Sequence, residues 1–354
     1  MLTVLAVVVV FGGLIFFHEL GHFSAARALG MGVSTFSLGF GPKILKVKKG
    51  KTEYALSLLP LGGYVALVGE QDDQELPEGF TREESFSDRP AWQRLIVVLA
   101  GPIANMVLAL ILCIILTLGW GIQTMTPNIG EVTDGSPAKA AGMAAGDTIV
   151  SINGKDIASW QEMSDAIAES NGQPLHMMID RKDSLLEITV TPERSERKTI
   201  FGDTEIAWLI GVRSSGAYTT SQPGFAGAIA GGWDQCISMI SMTWQGFVKL
   251  VQRVIPADQV GGPIMIAQVI GESSANLAGV LGLAALISIN LGILNLLPVP
   301  VLDGGAAVFC LWEIIFRRPL NKKITTWSFR FGIALLLALM VFATFNDIMR
   351  IMKG

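Results

Sequence analysis

Four long apolar runs divide the chain. They are Leu2 to about His22, Leu95 to Ile122, Leu277 to Leu302, and about Trp327 to Phe345, the last interrupted early by Arg330. At about 1.5 Å of rise per residue, runs of this length can cross a hydrocarbon core of roughly 30 Å as helices. A polar block, 123–222, separates the second run from the third. A fifth stretch, Phe225 to Val254, is only moderately apolar and carries Asp234, Lys249 and Arg253, which reads as an amphipathic helix lying in the interface. The pattern predicts a polytopic α-helical membrane protein with about four transmembrane helices and one exported domain.

Between the first two runs the period changes from helical to alternating. Ser37-Leu38-Gly39-Phe40-Gly41-Pro42 leads through a lysine-rich segment to a turn at Gly50, and Thr52 to Tyr64 returns with the same alternation. Such a pattern about a glycine predicts a β-hairpin within about 35–70. Its ends are apolar and rich in glycine, so it is expected to associate with the membrane. Bare backbone can enter that depth only beside protein or a water-filled cavity.

Lys43, Lys46, Lys48, Lys49, Lys51, Arg89 and Arg94 fall in the first loop, and Arg317, Arg318, Lys322 and Lys323 follow the third run. Both loops are therefore expected on the cytoplasmic side, with both termini and the 123–276 segment outside. The organisation expected is 1–122 for the first two spans and the hairpin, 123–222 for the exported region, 223–276 for the interfacial region and 277–354 for the last two spans.

Composition agrees: 51% of residues are hydrophobic against 16% charged, and the mean hydropathy is +0.50, a membrane protein's balance. A net charge of -4 gives no reason to expect a nucleic-acid partner. Cys113, Cys236 and Cys310 show no paired spacing, so neither a thiolate zinc site nor a disulfide framework is expected.

At the end of the first apolar run stands His18-Glu19-Leu20-Gly21-His22. On a helix, His18 and His22 share one face and can present two imidazoles to one metal ion, with Glu19 beside them to take a proton from the attacking water. That is the donor set of a zinc hydrolase, here predicted inside the bilayer. Ionisable groups are costly there, roughly 2.5 to 3.5 kcal/mol on insertion scales, so they usually have a function. A secretory signal peptide is the competing reading of the first 30 residues. No Lys or Arg precedes the apolar run, however, and His18-Glu19 interrupts its end.

Tetrahedral zinc needs a third protein ligand. In Asn295-Leu296-Leu297-Pro298-Val299-Pro300-Val301-Leu302-Asp303-Gly304-Gly305 two prolines break a helix within an apolar segment, and Asp303 emerges from the break at the depth expected of the histidines. Asp303 could also cap a helix beginning at Ala306, but its position level with the histidines favours the metal role. Glu53 and Glu313 are weaker rivals for the metal, since neither follows such a break.

In the exported block, Ser136-Pro137-Ala138, Gly142-Met143, Gly146-Asp147 and Ile152-Asn153-Gly154 are followed by a helical stretch Trp160 to Glu169 and strands around His176 to Asp180 and Leu185 to Val190. This resembles a bacterial PDZ domain, an α+β fold, over 128–192. A peptide ligand added as a strand, or a role as spacer or size filter, are both open. His176 reads as an ordinary strand residue.

Taken together, HELGH, the Gly39-Phe40-Gly41 hairpin, Gly101-Pro102-Ile103-Ala104-Asn105, the PDZ segment and NLLPVPVLDGG resemble the bacterial site-2 proteases, the sigma-E-regulating group in particular, over nearly the whole chain. The resemblance implies a zinc metalloendopeptidase of the inner membrane with its PDZ region on the periplasmic side. It implies His18, His22 and Asp303 as ligands of one Zn2+, Glu19 as catalytic acid/base and Asn295 near the substrate. The expected substrates are transmembrane segments of single-span proteins already cut once by another protease, as in release of an anti-sigma factor. Substrate contacts are expected from Gly39, Phe40, Gly41, Pro42, Ser57, Leu58, Pro60 and Gly62, by strand addition. Only one PDZ module is evident, where sigma-E-regulating members carry two. A non-catalytic PDZ scaffold and a transporter with broken helices are the rival classes, and both leave HELGH unexplained.

Overall fold

The structure, a computed structural model, describes residues 2–70, 76–199, 201–256, 258, 261–273 and 276–353. In chain order its elements are α1 (Leu2–Ala28), β1 (Val33–Lys49), β2 (Thr52–Leu67), α2 (Ala91–Trp120), β3 (Ile122–Met125), β4 (Ile129–Val132), α3 (Pro137–Ala140), β5 (Thr148–Ile152), β6 (Lys155–Asp156) and α4 (Trp160–Glu169). There follow β7 (Leu175–Arg181), β8 (Ser184–Val190), β9 (Glu193–Lys198), β10 (Thr204–Leu209), β11 (Val212–Ser214), β12 (Tyr218–Ser221), α5 (Phe225–Val251), α6 (Pro263–Ser273), α7 (Leu277–Asn295), α8 (Asp303–Phe316) and α9 (Lys322–Lys353).

The chain forms two compact units. The first comprises Met1–Leu116, Gly232–Phe247 and Pro256–Gly354, the second Thr117–Gly231 and Val248–Ile255. Four helices are long and apolar enough to cross a membrane: α1 from Ala6, α2, α7 and α9. Where α2 meets no protein it presents Ile96, Ile103, Val107, Ile111 and Ile115, all more than two-fifths exposed. A stripe of that size is a poor surface for water and a good one for acyl chains.

The third span is shorter than its apolar run suggests. α7 ends at Asn295, because Pro298 has no N–H for a continuing ladder and disfavours helical backbone just before it. The run continues as an irregular strap, 296–302, in which Val301 takes a φ of 98°, costly for a β-branched residue. Gly304 and Gly305 let the strap fold onto the first turn of α8: a Cβ would lie 2.2 Å from the Leu297 carbonyl oxygen at one and 2.4 Å from that of Val299 at the other.

Small residues also bring α1 against α2. A Cβ on Gly21 would stand 2.2 Å from the Ala100 carbonyl oxygen, so only glycine permits this approach. The core between them and α7 contains Leu14, Leu108, Ala284 and Ile287. The short helix α6, absent from the sequence reading, is capped from a distance. Buried Asp347 on α9 accepts hydrogen bonds from the N–H groups of Gly262 (2.9 Å), Ile264 (2.9 Å) and Met265 (3.1 Å), donors that a helix start otherwise leaves unpaired. All three cysteines are buried and none is in a disulfide.

The predicted hairpin is present but doubled. Residues 35–38 of β1 pair with 53–56 of β2 on one side and with 63–66 on the other, while 43–49 pairs with 52–57. β1 and β2 are thus each bent, and the result is a curled sheet of four segments in the order 63–67, 33–38, 53–56, 43–49. Gly39 sits at the bend of β1 with a φ of 87°, and a Cβ there would strike the Leu59 carbonyl oxygen at 2.7 Å.

The second unit carries a four-stranded antiparallel sheet in the order β6-β5-β7-β8, with β11 pairing with β4, β12 with β3 and β10 with β9. α4 occupies the stretch read as helical and is capped by Ser159, whose side chain accepts from the Glu162 N–H. Ile129, Ile149, Met163, Met177 and Ile179 fill the core. Asp147, 1% exposed, accepts both arms of Arg181 at 2.7 Å and the Ala144 N–H at 2.8 Å. Burial alone would raise its carboxyl; the Arg181 and Ala144 bonds outweigh burial and hold it below the usual range.

Candidate metal centre

α1 carries His18 and His22 one turn apart on one face, with ring centroids 4.8 Å apart. The strap and the start of α8 bring in Asp303 from the other end of the chain. His18 Nε2 lies 3.3 Å from His22 Nε2 and 3.2 Å from Asp303 Oδ2, and His22 Nε2 lies 3.6 Å from Asp303 Oδ1. All three groups are half-buried, and among the described residues they form the one cluster whose ligand atoms fall within 4.8 Å of one another.

These distances suit a zinc ion. Tetrahedral ligands at about 2.0–2.1 Å from Zn2+ stand about 3.3 Å from each other. Asp303 supplies a second indication: its Oδ2 is buried and makes no hydrogen bond, although His18 Nε2 is near. The capping role open to Asp303 is not taken up. It is the first residue of α8, whose cap position is Leu302, and no side chain caps that end. The rival carboxylates are engaged elsewhere, Glu53 in an ion pair with Lys43 and Glu313 with Arg94 at 2.6 Å.

α2 forms the wall behind the imidazoles. His22 Nδ1 donates to the Val97 carbonyl at 2.8 Å, which leaves its Nε2 lone pair turned toward Asp303. One turn on, Gly101 leaves room for both rings: a Cβ there would be 2.2 Å from His22 Nε2 and 2.9 Å from His18 Cε1. Another turn on, Asn105 is fully buried and places Nδ2 3.3 Å from His18 Nδ1. The sequence reading used Gly101 and Asn105 only as part of a family motif. Their spacing of one helical turn, matching that of His18 and His22, is the signal that marks them as facing the ligands.

Glu19 follows His18 on α1 and lies against the inner end of β2, where a Cβ on Gly63 would be 3.3 Å from Glu19 Cγ. Of the hairpin residues expected to touch substrate, Gly39, Ser57 and Gly62 are used inside the sheet. Ser57 is buried with its hydroxyl 3.0 Å from that of Ser37, and a Cβ on Gly62 would collide with the Phe40 ring. Phe40 and Leu58 are half-exposed, with Phe40 stacked on Tyr64 at 6.3 Å between centroids; Gly41 and Pro42 are exposed. The Pro60 side chain lies outside the described residues. Asn295 is the half-buried last residue of α7.

Fold and site together define a metallopeptidase built on apolar helices. The profile of peptidase family M50 matches residues 6–339, and the chain belongs to that family. It is similar to the regulator of sigma-W protease RasP of Bacillus subtilis, 30% identical with 99% of each chain covered. Metalloprotease MmpA of Caulobacter vibrioides is 32% identical, covering 94% of this chain and 92% of its own. A Campylobacter jejuni protein whose name carries the words zinc metalloprotease, Cj1068, is 38% identical, covering 98% of this chain and 93% of its own. A solved PDZ domain from Listeria monocytogenes covers 27% of this chain and 92% of its own at 22% identity, with a TM-score of 0.21, too low a likeness to carry weight. The chain is thus a metalloendopeptidase of the site-2 type and a multi-pass membrane protein.

Proposed function

We propose that the chain is an intramembrane endopeptidase that cleaves transmembrane segments of single-span proteins, with His18, His22 and Asp303 holding one Zn2+ and Glu19 as acid/base. The observation that carries this is the meeting of three ligand atoms, from opposite ends of the chain, at the separations a tetrahedral ion requires. The metal, when bound, supplies Lewis acidity and activation of water near neutral pH. Glu19 then takes the proton from the attacking water and delivers it to the leaving amine. Asn295 donates a hydrogen bond to the substrate backbone or to the developing oxyanion.

A helical substrate shields its peptide bonds within its own ladder and must unwind before hydrolysis. The curled sheet offers backbone partners for the unwound segment by strand addition, with further contacts from the exposed Phe40, Gly41, Pro42 and Leu58. The segment 63–67, which pairs on one side only within the sheet and whose Gly63 adjoins Glu19, supports that edge as the one used. Helix-breaking residues in the substrate should therefore speed cleavage.

The lysine-rich loops support a cytoplasmic position for the metal-bearing ends of the spans and an exported position, periplasmic in an inner membrane, for 123–222. We read 128–192 as a PDZ domain that admits only substrates already shortened by a first protease, either by size or by binding a peptide end. α5 turns an apolar stripe of Phe225, Ile229, Trp233, Ile237 and Trp244 outward, while its 232–243 stretch packs against α2 and α7, with the Thr243 hydroxyl donating to Asn290 Oδ1 at 3.1 Å; we read it as an amphipathic helix associated with the membrane. The primary test compares the full chain with Glu19→Gln in vesicles containing single-span substrates. Cleavage should be lost while one zinc per chain is retained; cleavage by the Glu19→Gln variant at the normal rate would refute the proposal.

A further inference from the structure

We infer that Asn105 is a positioning residue for the metal centre: its side-chain carbonyl, with the amide turned so that Oδ1 and not Nδ2 faces the ring, accepts a hydrogen bond from His18 Nδ1–H and so reserves Nε2 for the ion.

The argument begins with His22, whose tautomer the fold already fixes. Its Nδ1–H donates to the Val97 carbonyl, and Nε2 is left as a lone pair facing the carboxylate. His18 needs the same arrangement, since its Nε2 is the nitrogen that faces His22 and Asp303. A neutral imidazole that gives Nε2 to a metal carries its single proton on Nδ1. The atom opposite His18 Nδ1 must then be an acceptor.

As oriented, Asn105 presents Nδ2 to that nitrogen at 3.3 Å, donor against donor once Nδ1 is protonated, and its own Oδ1 is buried without a partner. The two ends of an amide occupy the same volume and are distinguished only by their hydrogen bonds. Turning the group puts Oδ1 against Nδ1–H and moves Nδ2 into the place Oδ1 held, so the donor-against-donor contact at His18 becomes a hydrogen bond. The position is held from behind. The Ser288 hydroxyl of α7 donates to the Asn105 backbone carbonyl at 2.8 Å, both residues being fully buried. α2 thus serves both ligands along one face, with Val97 behind His22, Gly101 making room and Asn105 behind His18.

Outer partners of this kind raise ligand basicity and orient the ring, and losing one typically costs 10- to 100-fold in metal affinity. The inference rests on the zinc reading above, and its test separates the two. Zinc affinity of the detergent-solubilised full chain is measured by competition with a chromogenic chelator for the unmutated protein, Asn105→Leu and Asn105→Asp. Leu fills nearly the same space with no acceptor, and affinity should fall about 10- to 100-fold. Asp restores an acceptor and should bring it back to within a few-fold of the starting value. A merely structural asparagine predicts no such rescue.

A second measurement does not depend on how the variants fold. The chain has only three histidines, so 15N-histidine labelling of the unmutated, zinc-loaded protein resolves them. His18 should carry its proton on Nδ1, with Nε2 showing the shift of a metal-bound nitrogen. Undiminished affinity in Asn105→Leu, equal losses in the Leu and Asp variants, or a His18 whose Nδ1 is unprotonated would each overturn the inference. Failure of the unmutated chain to take up zinc would instead sink the zinc reading and this inference with it.

Discussion

Two carboxylates, Asp147 in the second unit and Asp303 at the start of α8, answer the problem of burying a negative charge in opposite ways. Asp147 is saturated: Arg181 grips both oxygens and the Ala144 N–H adds a third bond. Asp303 is left incomplete, with one buried oxygen unbonded and two imidazoles turned toward it rather than a fixed cation. A carboxylate that shapes a fold finds all its partners within the chain. Asp303 is held short of them, as the proposed zinc ligand would be, and the fold supports it by other means, here the glycine-cushioned strap and the wall of α2.

Substitutions can break that contrast, and the largest effects belong to the incomplete site. Glu19→Gln should lower cleavage by about 10²- to 10⁴-fold, the usual contribution of a general acid/base, with zinc content unchanged by elemental analysis. His22→Ala should lose both the activity and the metal. Asp303→Asn should likewise weaken zinc retention while leaving the folding of 128–192 untouched, as proteolysis of that block would report.

On the saturated side, Arg181→Ala should destabilise the second unit, because it leaves the buried Asp147 carboxylate with only the Ala144 N–H, yet leave zinc affinity as it was. Denaturant titration of the full chain, followed through Trp160, measures it. Equal effects of Arg181→Ala on metal and on stability would erase the distinction between the two carboxylates.

A smaller effect is expected at Gly101. Its replacement by Ala places a methyl carbon 2.2 Å from His22 Nε2, so zinc affinity should fall about 10-fold, the lower end for a disturbed ligand shell, with little change in the second unit. The smallest effect concerns pH. The folded-state pKa of Asp147 is depressed, so its contribution to stability is fully present above the unfolded value, near 3.9, and is lost as pH falls through the folded value. The Arg181→Ala variant should show a weaker acid dependence than the parent in the same titration.

The candidate ligand cluster was legible because its parts are local or tied to a breaker. His18 and His22 announce themselves by one-turn spacing, and Asp303 by the prolines before it. What escaped depends on contacts between distant segments. The end of α7 at Asn295 and the strap after it lie inside a run that reads as continuous apolar helix, and hydrophobicity alone does not register where backbone pairing stops. The doubling of the β1–β2 sheet is set by the bends at Gly39 and near Gly62, whereas alternation reports only which residues share a face. α6 depends on Asp347, over 80 residues downstream, for its first turn. Val97 contributes through its carbonyl, so nothing about its side chain could reveal it.

The outer segment of the curled sheet has one more consequence. Residues 43–49 form its free rim, exposed throughout, and Lys46, Lys48, Lys49 and Lys43, the last paired with Glu53, stud it. A naked strand edge invites copies of itself to stack into fibrils, and like charges crowded along that edge repel such stacking. One small sheet is therefore armoured along one rim, while the opposite rim, 63–67, beside Glu19, carries no lysine at all.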